Sequence, residues 1–356
     1  MGWRSMSLSP PIQVRSNTDG ERRGTTFSIL LPGEIVTLLA DAEEPENDYR
    51  KLQAATAAKL AEALNIDVSV VYAQNEGITQ SQQLLALIQG PVAVRPDGIL
   101  MEPAGSTALR LVAQAATKAG IAWGLMNCES DYIEELSRQV TVPVFEVSAD
   151  QMAIGRLQGE MIVASAPAGA LVLYVQGPTS SGPAKQRASG TLVVVERSGR
   201  KLQILSRVSP DWTEAAGYRS ISNWLKLKTA AVEPVRVVAA QNDLLAMGAR
   251  RALGEAREDQ RERWLALPFF GVDGIPATGQ KWVSQGALRA TVVVPPVVED
   301  AIQILISALR DGIRPPLRTL IAPHPFNPLE KRALSTRQGK AVEGLNGLAK
   351  QPARVT

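Results

Sequence analysis

The sequence predicts an α/β protein made of two doubly wound parallel-sheet lobes. Three observations predict it. Short β-branched runs alternate with helix-period segments along most of the chain. The alternation starts afresh after about residue 144. Polar residues recur just past the strand ends, which is where open parallel sheets hold their ligands.

The elements follow in order. Thr26–Leu31 is the first strand. Residues 49–64 then carry apolar side chains at Leu52, Ala55, Leu60 and Leu64, a helical pattern. Residues 66–73 alternate and are rich in valine, so they form a strand. Helix 80–89, the short buried strand Gly98–Met101 and helix 106–119 come next; Gly120 ends that helix and 121–126 is a strand. The order βαβαβαβ implies helices on both faces of a parallel sheet. In the second unit Val144–Val147 is extended, and Asp150 caps a helix running to about Ala166. Strands at 170–176, 203–208, 235–240, 267–272 and 291–294 alternate with helices starting near Ala184, Glu214, Leu244 and Val297. From about His324 the periodicity fades, which predicts a surface tail.

Composition narrows the function. A chain of 356 residues with 45% apolar and 21% charged residues has the make-up of an ordinary soluble protein, and at about 150 residues per domain it holds two. One cysteine, Cys128, forbids an intrachain disulfide, and a single histidine, His324, argues against His-based hydrolysis and metal binding. The net charge of +3 is a property of the ends: residues 1–24 carry +2 and residues 330–356 carry +4, leaving the body at −3. That is not the basic face of a nucleic-acid protein. Residues 1–24 contain no apolar run of a secretory signal, and no stretch reaches the ~18 residues of a membrane span. The chain as written is therefore expected to stay in the cytoplasm without membrane insertion; a misassigned start or a removed signal would make it periplasmic.

The polar residues past strand ends are Asn127, Asp211 with Trp212, Asn242 with Asp243, and Asp273. Facing units would line a cleft with acids, amides and an aromatic ring, a lining suited to a neutral polyhydroxylated ligand. Each residue also has a plainer role. Asp273-Gly274 can close a turn, Asn242 or Asp243 can cap a helix, Trp212 can pack on a neighbour, and Arg187 can form a surface ion pair. Trp123, Trp224 and Trp282 lie in periodic segments and belong to the core. The loop 177–182 (GPTSSG) can cradle an anion but lacks a P-loop lysine. Cys128 has no partner base and is a small filler, His324 is a loop residue, and 255–263 is a solvated charged face.

Several segments together resemble type 1 periplasmic sugar-binding proteins of the ribose-binding kind. Ala239-Ala240-Gln241-Asn242-Asp243 with Ala246, Gly248 and Ala249 is similar to their AQND…A.GA segment. Phe270-Gly271-Val272-Asp273-Gly274 resembles GxDG, and residues 286–292 resemble G.L.ATV. Residues 97–103, 119–121 and Gly177…Arg187…Gly190 fit in the same order, so the resemblance spans about 26–322. It implies a Venus-flytrap fold, shared with lactose-repressor-like effector domains, whose lobes are joined by a three-crossover hinge. The expected organisation is a disordered segment 1–24, an N-terminal lobe of 25–149 plus 295–321, a C-terminal lobe of 150–294 plus 322–330, and a tail 331–356. Crossings are expected near 148–150, 294–295 and 321–323. The resemblance further implies ligand contacts from Asn47, Tyr49, Asn127, Arg187, Trp212, Asn242 and Asp273, with Asn242 turned to the ligand and Asp243 to the helix cap. An arginine opposite Asp273 would keep that acid ionised. Relatives resembling ribose binders carry Asp-Arg where this chain has Asn127-Cys128, and a glutamine where it has Val294.

The function expected is non-catalytic binding of a monosaccharide or sugar-like polyol by a monomer, with no cofactor, metal or catalytic residue. Two uses of that binding remain open: delivery to an ABC permease, or sensing coupled to a partner such as a sensor kinase. The rival readings are an effector domain of a transcription regulator without its DNA-binding part, and an enzyme on a similar scaffold.

Overall fold

The computed structural model describes residues 12–14, 26–31, 48–73, 77–92, 95–104, 109–227 and 234–327. Among these, the strands form two sheets of seven and six strands, each flanked by helices on both faces.

The first sheet contains β1 (Ile12–Val14), β2 (Thr26–Leu31), β3 (Asp67–Tyr72), β4 (Gly98–Met101), β5 (Ala122–Met126), β6 (Val144–Ala149) and, from far along the chain, β12 (Arg318–Ile321). Its spatial order is β1-β3-β2-β4-β5-β6-β12, all parallel except β1, which runs antiparallel to β3. Helices α1 (Asp48–Leu64), α2 (Gly77–Gln89), α3 (Arg110–Lys118) and α4 (Ile133–Gln139) connect these strands. The second sheet takes β7 (Leu171–Gln176), β8 (Gln203–Val208), β9 (Val235–Ala240), β10 (Phe269–Asp273), β11 (Ala290–Val293) and β13 (His324–Phe326), in the order β13-β11-β10-β9-β7-β8. Its helices are α5 (Gln151–Ser165), α6 (Gly182–Arg197), α7 (Glu214–Leu225), α8 (Asp243–Gly254), α9 (Glu258–Leu265) and α10 (Lys281–Ser284). Helix α11 (Val297–Asp311) returns to the first sheet.

The two doubly wound lobes predicted from alternation are present. The order reverses at β2 in the first sheet, whose neighbours are β3 and β4, and at β7 in the second, whose neighbours are β8 and β9. Such reversals open a crevice at the carboxyl ends of the strands. The chain passes between the sheets from β6 to α5, from β11 to α11, and from β12 to β13. Asp150 marks the first passage and caps α5, its carboxylate accepting from Ala153 N at 2.7 Å. Its own N–H donates to Ile321 O at 2.9 Å, which ties the first passage to the third.

Two expectations are corrected, and one element was not foreseen. Residues 12–14, read as part of a disordered segment, form the edge strand β1, because the first sheet offers them an open ladder beside β3. His324, assigned to a tail, lies in β13 against β11; Pro325 is tolerated there because the strand is at an edge. Helix α4 was not predicted, since seven residues are too short for a periodic signal. The rest of 1–24 and all of 331–356 lie outside the described residues.

Apolar packing explains the layers. Trp123, Leu125 and Ile133 belong to the core on one face of the first sheet, while Met126, Phe145 and Val147 meet α11 through Ala301, Ile302 and Leu305 on the other. That second cluster includes Ile154, Val272 and Val292 of the other lobe, so apolar contact is continuous through the passages. Trp224 and Trp264 pack edge to face, 5.8 Å apart, in the second lobe. No helix among the described residues is long and apolar enough to cross a membrane.

Helices α5 and α6 approach closely because glycine lies at the contact. A Cβ on Gly155 would sit 2.1 Å from the Arg187 carbonyl oxygen, and one on Gly190 would sit 2.4 Å from Met152 O. Gly155→Ala should therefore force the helices apart and destabilise the protein by about 1–3 kcal/mol, the usual cost of overpacking. Urea denaturation measures this, and a midpoint equal to wild type would show that the contact yields without cost.

Candidate functional site

The site is built at the carboxyl ends of the strands. On the second lobe, Arg187 lies in the second turn of α6, a helix begun by Ser181 as N-cap and Pro183 in the first turn. Its guanidinium is fixed on several sides. Nε donates to Gln151 Oε1 at 2.8 Å and Nη1 donates to Gln241 O at 2.5 Å. Nη1 also lies 3.7 Å from Asp273 Oδ1, and the guanidinium stands 5.5 Å from the centre of the Trp212 ring. The plain surface-ion-pair role for Arg187 is thereby excluded, since the residue is only 7% exposed.

Asp273 ends β10 with a φ of 103°, a conformation that L side chains rarely adopt. It is held there by its neighbours: Gly274 N donates to Asp243 Oδ2 at 2.8 Å, and Val294 N donates to Asp273 O at 3.0 Å. Asp243 also accepts from Thr291 Oγ1 at 2.7 Å. The division of labour expected for the pair 242–243 is therefore corrected: Asn242 takes the cap, and Asp243 turns inward to Thr291 and Gly274. Asn242 is the N-cap of α8, its Oδ1 accepting from Leu245 N at 2.7 Å, and its Nδ2 donates to Trp212 O at 2.8 Å. Only the residue before the first turn has the extended backbone that lets a side chain reach back to the free N–H groups, and Asn242 has it, with φ −149° and ψ 171°.

Trp212 is half-buried and its ring lies against Gly177, where a Cβ would come within 2.3 Å of the indole. The Gly177 N–H donates to Gln241 Oε1, and Gln241 Nε2 donates to Ala184 O, both at 2.8 Å. This loop thus serves as the bed of the tryptophan, and its first amide is not available to an anion.

On the first lobe, Tyr49 stands in the first turn of α1 and donates from its hydroxyl to Pro295 O at 2.9 Å, on the passage from β11 to α11. Burial, followed by the charges of Glu102 and Asp273, opposes its ionisation. Asn127, at φ 51°, follows β5 and its Nδ2 lies 3.4 Å from Glu102 Oε2. Asn47 lies outside the described residues. Burial, then Glu146, Glu102 and Glu129, pushes the Cys128 thiol up to about 11, consistent with an inert filler. Across the cleft, Gln186 Nε2 of α6 donates to Glu129 Oε1 at 3.0 Å.

The structure thus brings Arg187, Asp273, Trp212 and Asn242 together on one side, and Tyr49 and Asn127 on the other. The sequence reading missed Glu102, Gln151 and Gln241. Glu102 follows β4 as Asn127 follows β5, so the rule that found one would have found the other.

Electrostatics separates the two acids from ordinary carboxylates. Burial raises Asp273 to about 7, against the pull of Arg187 and with help from Asp48. Burial and then the charge of Asp273 push Asp243 well above the usual range. Such an arrangement suits a neutral ligand whose hydroxyls donate to Asp273 while the indole covers an apolar face.

Residues 43–312 match the family model described as periplasmic binding protein domain. The ribose import binding protein of Escherichia coli is 28% identical over 242 residues, 67% of this chain and 73% of that protein. Two solved structures have similar folds. One is a periplasmic solute-binding protein of an ABC transporter from Actinobacillus succinogenes with bound D-allose; it has a TM-score of 0.69 and 20% identity, over 85% of this chain and 97% of that one. The other is a Caulobacter myo-inositol-binding protein, with a TM-score of 0.68 and 20% identity over 87% and 96%.

The raised Asp273 gives a pH dependence with a definite sign. Between the unfolded value of about 4 and the folded value of about 7 the folded protein binds the extra proton, so this group's contribution to stability falls as pH rises through that window and is constant above it. Wild type compared with Asp273→Asn should lose relative stability over that interval in urea titrations, and a pH-independent difference would refute the assignment.

Proposed function

Because the chain belongs to the periplasmic binding protein family, we propose that its lobes close without catalysis on one small polar ligand of the sugar or polyol class. The observation that carries the reading is the fixed group of Arg187 and Asp273, 3.7 Å apart, with the Trp212 ring beside the guanidinium. Carboxylate, guanidinium and indole together offer acceptors, donors and an apolar platform, each held by framework contacts. Tyr49, Asn127 and Asn242 complete the contacts, together with Asn47, which lies outside the described residues.

The closing bodies are 25–149 with 295–321 and 150–294 with 322–330, turning about the three passages. Similarity to import and ABC-transporter binding proteins favours delivery of the ligand to a permease. It also favours the periplasmic alternative over the cytoplasmic expectation drawn from residues 1–24. The protein acts as a monomer and returns its ligand unchanged.

A thermal-shift screen of sugars, polyols and nucleosides should identify a stabilising ligand; one present at 100 times its Kd adds about 2.7 kcal/mol. Calorimetry on that ligand should then give one site per chain. Above pH 7, where Asp273 is ionised, Asp273→Asn should weaken binding about tenfold or more, since hydrogen bonds to a charged group contribute about 1.5–3 kcal/mol each. Trp212→Ala should weaken it through lost contact area. Unchanged affinity in both variants would place the ligand elsewhere.

A further inference from the structure

We propose that Gln186 and Glu129 form a latch across the mouth of the cleft, which biases the two lobes toward closure in the free protein. The proposal rests on the reading that the lobes turn about the three passages, and not on the identity of the ligand.

The contact joins the lobes. Gln186 lies on α6 of the second lobe, one residue before Arg187, and Glu129 lies past β5 of the first, two residues after Asn127. Nε2 of Gln186 donates to Glu129 Oε1 at 3.0 Å. A carboxylate only accepts, so the amide meets it in one orientation alone. Glu129 is exposed and Gln186 half-buried, whereas Arg187 beside it is buried, so the bond sits on the solvent side of the residues assigned to the ligand. Opening the lobes separates the partners and returns each to water. Neither has to touch a ligand to affect binding.

Both ends are braced. The residue after Glu129 is held twice: Ser130 N donates to Glu146 Oε1 at 2.7 Å, and Arg318 Nη2 donates to Ser130 O at 3.0 Å. Arg318 Nε in turn lies 2.8 Å from Glu146 Oε2, and Glu146 is 2% exposed. Glu146 and Arg318 belong to β6 and β12, the strands that run into the first and third passages. On the other side, Arg187 ties the same turn of α6 to Gln151 and Gln241. Gly155 and Gly190 let α6 lie directly on α5, which begins at the first passage. The latch therefore joins two braced arms that meet again at the passages, so forming it fixes one angle between the lobes. Solvent-accessible polar pairs contribute little to folding. The balance between two arrangements of the same lobes is itself small, however, so a weak bond at the mouth shifts it.

The test is small-angle X-ray scattering on the ligand-free protein, comparing wild type with Gln186→Glu and Gln186→Lys at neutral pH. Glutamate at 186 sets two carboxylates against each other and should raise the radius of gyration. Lysine replaces the bond by an ion pair and should keep the radius at or below the wild-type value. Added salt should bring the two variants toward each other, because it screens both the repulsion and the attraction. The substituted side chain is not part of either core, so urea midpoints should stay at the wild-type value. Equal radii for all three proteins overturn the proposal. Binding kinetics supply a second readout, with D-ribose, D-allose and myo-inositol as probes. On any probe that binds, Glu129→Ala and Gln186→Ala should each raise the dissociation rate about threefold, and the double variant no more than either alone. Additive effects of the two substitutions overturn the pairing. If none of the probes binds, it is the sugar reading that fails, while the scattering comparison still decides the latch.

Discussion

The Asp243 carboxylate sets the geometry of the second-lobe half of the cleft. It is 3% exposed and spans two elements, accepting from Thr291 Oγ1 on β11 and from Gly274 N just past β10. Gly271 and Gly279 leave it room; a Cβ on either would come within 2.0 Å of a carboxylate oxygen. The bond to Gly274 holds the turn in which Asp273 adopts its positive φ, and that turn aims Asp273 at Arg187. A buried carboxylate with both oxygens engaged is expensive to disturb, because removing either partner leaves charge or lone pairs stranded. The site's precision thus derives from a residue one layer below it.

The hinge follows a similar logic with weaker groups. Tyr49 binds the carbonyl of Pro295, and Gln53 Oε1 accepts from Val298 N at 3.0 Å, so α1 grips the start of α11 at two points. Helix α11 has no side-chain cap of its own, and the borrowed amide of Gln53 serves in its place. The passage from β11 to α11 is therefore fixed to the first lobe at its α11 end. In the proposed closure the backbone around Val294 is left to rotate, while the bond between Asp150 N and Ile321 O ties the other two passages together.

Much of this was legible from the chain, for physical reasons. The strands at 98–101, 171–176 and 235–240 read clearly because buried parallel strands are near-continuous apolar runs. Asn127, Trp212 and Asp273 were singled out because open parallel sheets hold their ligands just past the strand ends, and the structure has them there. Neither β1 nor β13 was legible: three residues carry no period, and their pairing depends on an edge formed by distant strands. The cap was assigned to Asp243 instead of Asn242 because both residue types cap helices well, and only the backbone angles at 242 decide between them. Gln241 was read as part of a motif. Its actual role, bracing the Gly177 loop against α6, depends on partners 57 and 64 residues away.

Asn242 carries a consequence for how such a cleft changes over generations. One side chain starts α8 and anchors the Trp212 backbone beside the proposed cleft. A mutation there that alters preference also loosens a helix and an aromatic wall, so selection for folding resists it before selection for binding can act. Glu102 and Asn127 bear on each other across a single 3.4 Å contact and support no helix cap. The cost of change is therefore lopsided: a substitution at Asn242 disturbs a helix start and an aromatic wall, while one at Asn127 disturbs no helix cap among the described residues.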